Sequence, residues 1–273
     1  MERNRLQIAV NPAQATRAAE EAAREVGFLM RRHLHQRKRA NETSQHDIKL
    51  ELDVRSQRLI QRSLAKAFPG VPLLGEEGIV GDISAPFRWV VDPIDGTVNF
   101  AYGIPHACVS IALQERTGPA RAGYPDGFRT VSGVVYDPFS DEMWTATRGT
   151  AARLNGRKIQ VSRRNRLEES IVSIGFAKTR STLDQMLPYF NQLVHCVRKI
   201  RIMGAAALAL TYVASGRFDA YIEGGIRLWD IAAGGLILEC AGGEFWRRPI
   251  PGAHAYRIVA TNGRLRRSLR VPA

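Results

Sequence analysis

Residues 89–100 read WVVDPIDGTVNF, a strand that runs straight into an acidic turn. Phe87, Trp89, Val90 and Val91 are apolar or aromatic and suit a buried strand. Asp92 and Asp95 follow, three positions apart and on either side of a proline. Two carboxylates at a strand end can share one hard cation and reach a second. Pro93 fixes the turn and leaves the carbonyl of Ile94 free as a further oxygen ligand. Gly96 lets backbone approach a bound anion, and Thr97 supplies a hydroxyl. An all-oxygen ligand set suits Mg²⁺ far better than zinc. A hard cation beside an anion cradle is the equipment that hydrolysis of a phosphate ester requires.

Two further segments have the same grammar. Residues 75–78 read GEEG, with Glu76 and Glu77 directly after the apolar run Val71–Leu74. Residues 229–235 read WDIAAGG, with Asp230 behind an aromatic residue and ahead of a helix of small residues. Glu76, Asp92, Asp95 and Asp230 together are enough for a site holding two or three metal ions. Glu77 fits an outer or solvated position better than a direct ligand. Asp137 and Asp141, flanking Pro138, read as a turn, and His106, Trp89 and Trp229 read as structural.

With these motifs in their order, the chain resembles the inositol monophosphatase family of Mg²⁺-dependent, lithium-sensitive phosphatases. The matching pieces are GEE at 75–77, DPIDGTVNF at 92–100 and WDIAAG at 229–234. The turn Leu154–Gly156 with its following IQVS, and ATNGRL at 260–265, are also similar to the family. The resemblance runs from about Pro12 to the end. It implies an α+β fold, a five-layer α-β-α-β-α sandwich, with the active site between an N-terminal half (1–161) and a C-terminal half (162–273). It implies a phosphate monoester hydrolase resembling an inositol-1-monophosphatase, with metal-activated water attacking phosphorus in line. Carried over by motif, Glu76, Asp92 and the Ile94 carbonyl would hold a first Mg²⁺. Asp92, Asp95 and Asp230 would hold a second, and Glu76 would reach a third through water. Thr97 would orient the attacking water, with Asp53 behind it as a hydrogen-bond partner; Asp53 also reads as a plain helix cap, and the two roles are compatible. Asp95, Gly96, Thr97 and Glu223 would face the substrate, Glu223 accepting hydrogen bonds from its hydroxyls. A homodimer is expected on resemblance alone.

The chain departs from the family pattern in places. A Thr common before the second helix is Leu50, a Lys common further upstream is Glu42, and a hydroxyl residue on the substrate side is lost in Gly204-Ala205-Ala206. No departure removes a metal ligand, so they bear on the substrate more than on the reaction. The same chemistry admits histidinol-phosphate, bisphosphonucleotide and fructose-bisphosphate phosphatases. A different class is a regulatory member that binds RNA or polymerase.

Composition sets outer limits. The 273 residues carry a formal charge of +13, mostly from arginine clustered at 31–39, 163–166 and 264–270. Such a surface can steer anions or bind nucleic acid, although no RNA-binding signature with interleaved aromatics is present. No apolar run approaches the roughly 20 residues that span a bilayer. The start, MERNRLQIAV, lacks the apolar core of a signal peptide, and the expectation is a cytoplasmic protein. Cys108, Cys196 and Cys240 are far apart and read as buried, reduced thiols rather than disulfide partners. Apolar periodicity predicts a helix from Pro12, capped by Asn11, and a second from near Asp53 to Phe68. Strands are expected near Val71–Leu74 and Arg88–Val91. Antiparallel strands follow at Ala107–Gln114, Thr130–Tyr136 and Glu142–Thr147, with a loop at Thr117–Phe128 and a tight turn at Asn155-Gly156. Strands at Ile171–Ile174, Lys199–Ile202, Phe218–Ile222 and Tyr256–Ala260 then alternate with helices at Leu183–Val197, Gly204–Ser215 and after Trp229.

Overall fold

A computed structural model describes residues 10–36, 40–43, 48–119, 126–176 and 180–269. Helices among them are α1 (Pro12–His33), α2 (Glu51–Ala67), α3 (Thr97–Ala101), α4 (Arg180–Val194), α5 (Ala206–Ala214) and α6 (Leu228–Cys240). The strands are β1 (Ala40–Thr43), β2 (Ile48–Leu50), β3 (Leu73–Gly75), β4 (Gly78–Val80), β5 (Phe87–Asp95), β6 (Cys108–Arg116), β7 (Phe128–Asp137), β8 (Glu142–Thr147), β9 (Arg153–Leu154) and β10 (Arg157–Lys158) in the first half. The second half adds β11 (Ile171–Ile174), β12 (Lys199–Arg201), β13 (Ala220–Arg227), β14 (Glu244–Pro249) and β15 (Ala255–Thr261).

The large sheet has the order β10-β9-β8-β7-β6-β5-β3-β4, and the smaller one β12-β11-β13-β15-β14; β1 and β2 form a separate hairpin. Helices α1 and α2 cover one face of the large sheet, α5 and α6 fill the space between the sheets, and α4 covers the far face of the small one. This is the five-layer α-β-α-β-α sandwich.

Residue choice explains the layering. The outer helix α1 buries one stripe, Ala15, Ala19, Ala22, Ala23, Val26 and Met30, and leaves its charged residues outside. Its start is held by the Asn11 side chain, which accepts from the amides of Ala13 (2.9 Å) and Gln14 (3.3 Å). Helix α6 is different: Leu228 and Ile231 through Leu238 are all buried. A helix apolar on every side belongs in a middle layer. It lies close on the large sheet because β7 offers Gly133, where a Cβ would stand 2.9 Å from the Ala233 carbonyl oxygen and 3.1 Å from its Cα.

The expected helices and strands are found, with ends displaced by a few residues. The Asn155-Gly156 turn joins β9 to β10 with both residues at positive φ (47° and 77°), as a two-residue hairpin turn demands. Strands β1, β2, β4 and β14 are additions to the expected elements. Strand β4 is a three-residue exposed edge strand, and β14, EFWRRP, is a charged edge strand paired with β15. One expectation is corrected: Cys196 is exposed, because it lies beyond the end of α4, past the face that packs on the sheet. Cys108 is buried and Cys240 is half-buried. Residues 120–125 of the expected loop and 37–39 of the first basic cluster lie outside the described residues.

Candidate active site

The acidic motifs meet because of how their strands pair. Strands β3 and β5 run parallel, with Gly75 opposite Val91, so their ends deliver Glu76 and Asp92 side by side. The Glu76 amide donates to the Val91 carbonyl (3.2 Å), extending the pairing by one residue. Asp92 faces Ser110 across β5 and β6. The Ser110 hydroxyl donates to the Trp229 carbonyl (3.1 Å), which brings the start of α6, and Asp230 with it, to the same place. Pro93 has no amide to give the ladder, and the β5–β6 register shifts between Asp92 and Asp95. Asp92 Oδ1 accepts the Ile94 amide (3.0 Å), fixing the turn.

Asp92 and Asp95 are buried, and Glu76 and Asp230 keep partial exposure. Burial first, then the charges of Glu76, Asp95 and Asp230, push the Asp92 carboxyl well above its ordinary range. Burial first, then Asp95 and Glu76, push Asp230 well up. Asp92 and Asp230 also share a hydrogen bond. Asp95 rises to about 6, chiefly through burial, although helix amides pull it back. Its Oδ1 accepts from Ala206 (3.1 Å) and its Oδ2 from Ala207 (2.7 Å), so Asp95 caps α5 from the other half of the chain. The first residue at that helix start is Ala205, which has no side-chain acceptor, and Asp95 fills the role. Burial and then Asp95 push the Cys108 thiol up; it stays neutral, with Sγ 3.5 Å from Asp95 Oδ2.

Among the described residues no three His, Cys, Asp or Glu side chains are drawn around a common point. Asp95 is turned to the α5 amides, and Asp230 Oδ2 accepts the Arg227 amide (2.9 Å) at the start of its own helix. The donor set nonetheless fits a hard divalent cation. It is all oxygen, and mutually repelling buried carboxylates are relieved by positive charge.

The other expected residues fall as follows. Gly96 adopts φ 89° and precedes α3; a Cβ there would stand 2.9 Å from the His106 carbonyl oxygen, so glycine is required by both backbone and space. The Thr97 hydroxyl donates to the Ile94 carbonyl (2.8 Å), tying together two residues expected in the site. Asp53 is buried in the first turn of α2, where its Oδ2 accepts the Leu50 amide (2.8 Å); it acts from the third helical position rather than as the first cap. The Glu77 amide donates to Gln57 Oε1 (3.0 Å), which suits an outer position. Glu223 is half-buried on β13 and accepts a hydrogen bond from the Tyr221 phenol. Asp137 caps its own turn by accepting the Phe139 amide (2.8 Å). In the late ATNGRL motif, Asn262 donates to Ser162 Oγ (2.9 Å) and the Arg164 carbonyl (2.8 Å), a structural clamp.

Sequence reasoning missed Gln57, Ser110, Tyr221 and the Ala206–Ala207 amides. The first two act on motifs 20 and 119 positions away, with no pattern to announce them. Tyr221 had a readable signal: it shares a strand face with Glu223 at a spacing of two.

The inositol monophosphatase family model matches residues 11–249. A protein of Synechocystis sp. named inositol-1-monophosphatase is 40% identical over 228 residues, covering 82% of this chain and 75% of that protein. One from Xylella fastidiosa named Nus factor SuhB is 39% identical over 225 residues, covering 81% of this chain and 78% of its own. The solved inositol monophosphatase of Anabaena superposes with a TM-score of 0.81 at 33% identity, covering 96% of this chain and 98% of that one.

Proposed function

The chain belongs to the inositol monophosphatase family, and from that premise we propose that it is a Mg²⁺-dependent hydrolase of inositol monophosphate or a similar polyol phosphate. The observation that carries this reading is that the ends of β3 and β5 and the start of α6 bring Glu76, Asp92, Asp95 and Asp230 near enough for the other three to raise Asp92, and for Asp95 and Glu76 to raise Asp230. Glu76, Asp92 and the Ile94 carbonyl would hold one Mg²⁺, and Asp92, Asp95 and Asp230 a second. When bound, Mg²⁺ makes water more acidic and steadies the leaving oxygen.

The chain's own groups do the rest in this reading. Thr97 and Glu76 hold the attacking water, and Asp53, fixed in the first turn of α2, stands behind Thr97. The Gly96–Thr97 turn receives the phosphate, the positive φ of Gly96 setting the course of the backbone into α3. Glu223 accepts hydrogen bonds from substrate hydroxyls. The division at 161/162 belongs to the same proposal, supported by one main sheet, the large or the smaller, falling on each side of it. Lithium sensitivity, a homodimer and a cytoplasmic place are also proposed on family grounds; among the described residues no helix is long and apolar enough to cross a membrane. The test is phosphate release across a panel of inositol, histidinol, bisphosphonucleotide and fructose-bisphosphate esters, with and without chelator. Mg²⁺-dependent release from inositol phosphate is expected; full turnover in excess EDTA after dialysis would falsify the metal mechanism.

A second reading, a regulatory member that binds RNA or polymerase, is favoured by the relative named Nus factor SuhB and by the charge of +13. A gel shift at physiological salt tests it, since a purely electrostatic contact weakens steeply with salt.

A further inference from the structure

We propose that Tyr221 and Gly175 are positioning residues that lock the Glu223 carboxylate, and through it set the preference for a polyhydroxylated leaving group. The inference rests on the reading of Glu223 as a substrate contact. Tyr221 and Glu223 project from the same face of β13, two residues apart. That face looks toward the α5 and α6 layer, where Tyr221 is buried. The phenol donates to Glu223 Oε2. Burial, and then Glu223, Asp95 and Asp230, keep the phenol well above its ordinary range, so it is a hydrogen-bond donor throughout the working range of pH. Asp95 and Asp230 are close enough to act on the phenol, so Tyr221 and its partner stand beside the acidic site.

Gly175 closes the other side. It directly follows β11, and its amide donates to the Ile222 carbonyl (3.0 Å), one residue before Glu223. A Cβ on residue 175 would run into the Glu223 carboxylate. Its φ lies outside the left-handed region, so a methyl there would act through space, by displacing the movable carboxylate, and not through the backbone. The carboxylate therefore rests on bare backbone and is held by a phenol. A glutamate has three rotors, and leaving them free costs ordering entropy each time substrate binds. A carboxylate already fixed meets the substrate hydroxyls without that cost.

The test uses full-length protein with Mg²⁺ and compares kcat/KM for inositol monophosphate with that for p-nitrophenyl phosphate, which has no hydroxyls to offer. Tyr221→Phe keeps the ring and removes only the donor. It is expected to lower the inositol-to-aryl ratio about 5- to 10-fold, the worth of one ordinary hydrogen bond, mainly through KM for inositol phosphate. In a Glu223→Ala background the same substitution should change the ratio no further, because the acceptor it positions is gone. Gly175→Ala should lower the ratio in the same direction. An unchanged ratio in Tyr221→Phe while Glu223→Gln lowers it overturns the positioning role alone. A ratio that Glu223→Gln leaves untouched removes Glu223 from the substrate, and this inference with it. A loss that Tyr221→Phe produces equally in the Glu223→Ala background assigns Tyr221 to packing and overturns the proposal.

Discussion

Replacing Asp92 by Asn should make the metal-free protein more stable while abolishing turnover. Asn keeps the Oδ1 that accepts the Ile94 amide at 3.0 Å, so the turn survives. It removes a charge that is buried and faces Glu76, Asp95 and Asp230. Asp95 supplies the scale. Its carboxyl moves from an ordinary 3.8 to about 6, even with two helix amides favouring its charge. At about 1.4 kcal/mol per unit, one such buried carboxylate costs about 3 kcal/mol of stability once ionised. The sign follows from linkage. A carboxyl whose folded pKa is raised contributes stability that is complete below its unfolded pKa and is lost as pH rises through the folded value. Metal-free wild-type protein should therefore lose stability from about pH 4 upward through about pH 6 and beyond, and Asp92→Asn should lose less. Calorimetry in EDTA should find the variant melting higher by about 6–12 °C near pH 8, at about 2–4 °C per kcal/mol for a chain of this size. The gap should close toward about pH 4, where the wild-type acids are protonated. Parallel melting curves across that range, or a variant that melts lower near pH 8, would refute the claim that Asp92 is a buried charge in a repelling cluster.

Adding Mg²⁺ should raise the melting temperature of the wild-type protein and reverse the order of the two, because the cation relieves what Asn had relieved; a Mg²⁺ titration followed by calorimetry checks it. Asp230→Asn should likewise abolish phosphate release, and wild-type turnover in that variant would remove Asp230 from the site. Gly133→Ala should destabilise by about 1–3 kcal/mol in urea unfolding, because the new methyl meets the α6 backbone at Ala233 rather than a movable side chain. Asp219→Ala should cost about 3–5 kcal/mol by the same measurement. Its buried carboxylate holds Arg164 (2.8 Å) and the Ile171 amide (2.8 Å), joining the incoming chain to the second sheet.

The chain order itself determined a good deal. Acids placed where an apolar strand or helix meets a turn are legible without a structure, because only strand ends and helix starts bring carboxylates to a shared edge while burying what precedes them. Asp92, Asp95, Glu76 and Asp230 were all readable in this way, and so were α1 from its apolar spacing and the Asn155-Gly156 turn from its dipeptide. The middle position of α6 was also latent in its unbroken apolar run, since such a helix has no face to give to water. Tertiary structure alone decided how the acids are used. Asp95 caps α5 across the two halves because Ala205 cannot, and that bond joins residues 111 and 112 positions apart. Gln57 holds the loop around Glu77, and Ser110 draws α6 to Asp92. None of the contacts between distant segments leaves a local pattern, because a side chain's partner across a sheet or helix layer is set by strand order and register, which residue spacing along the chain does not encode.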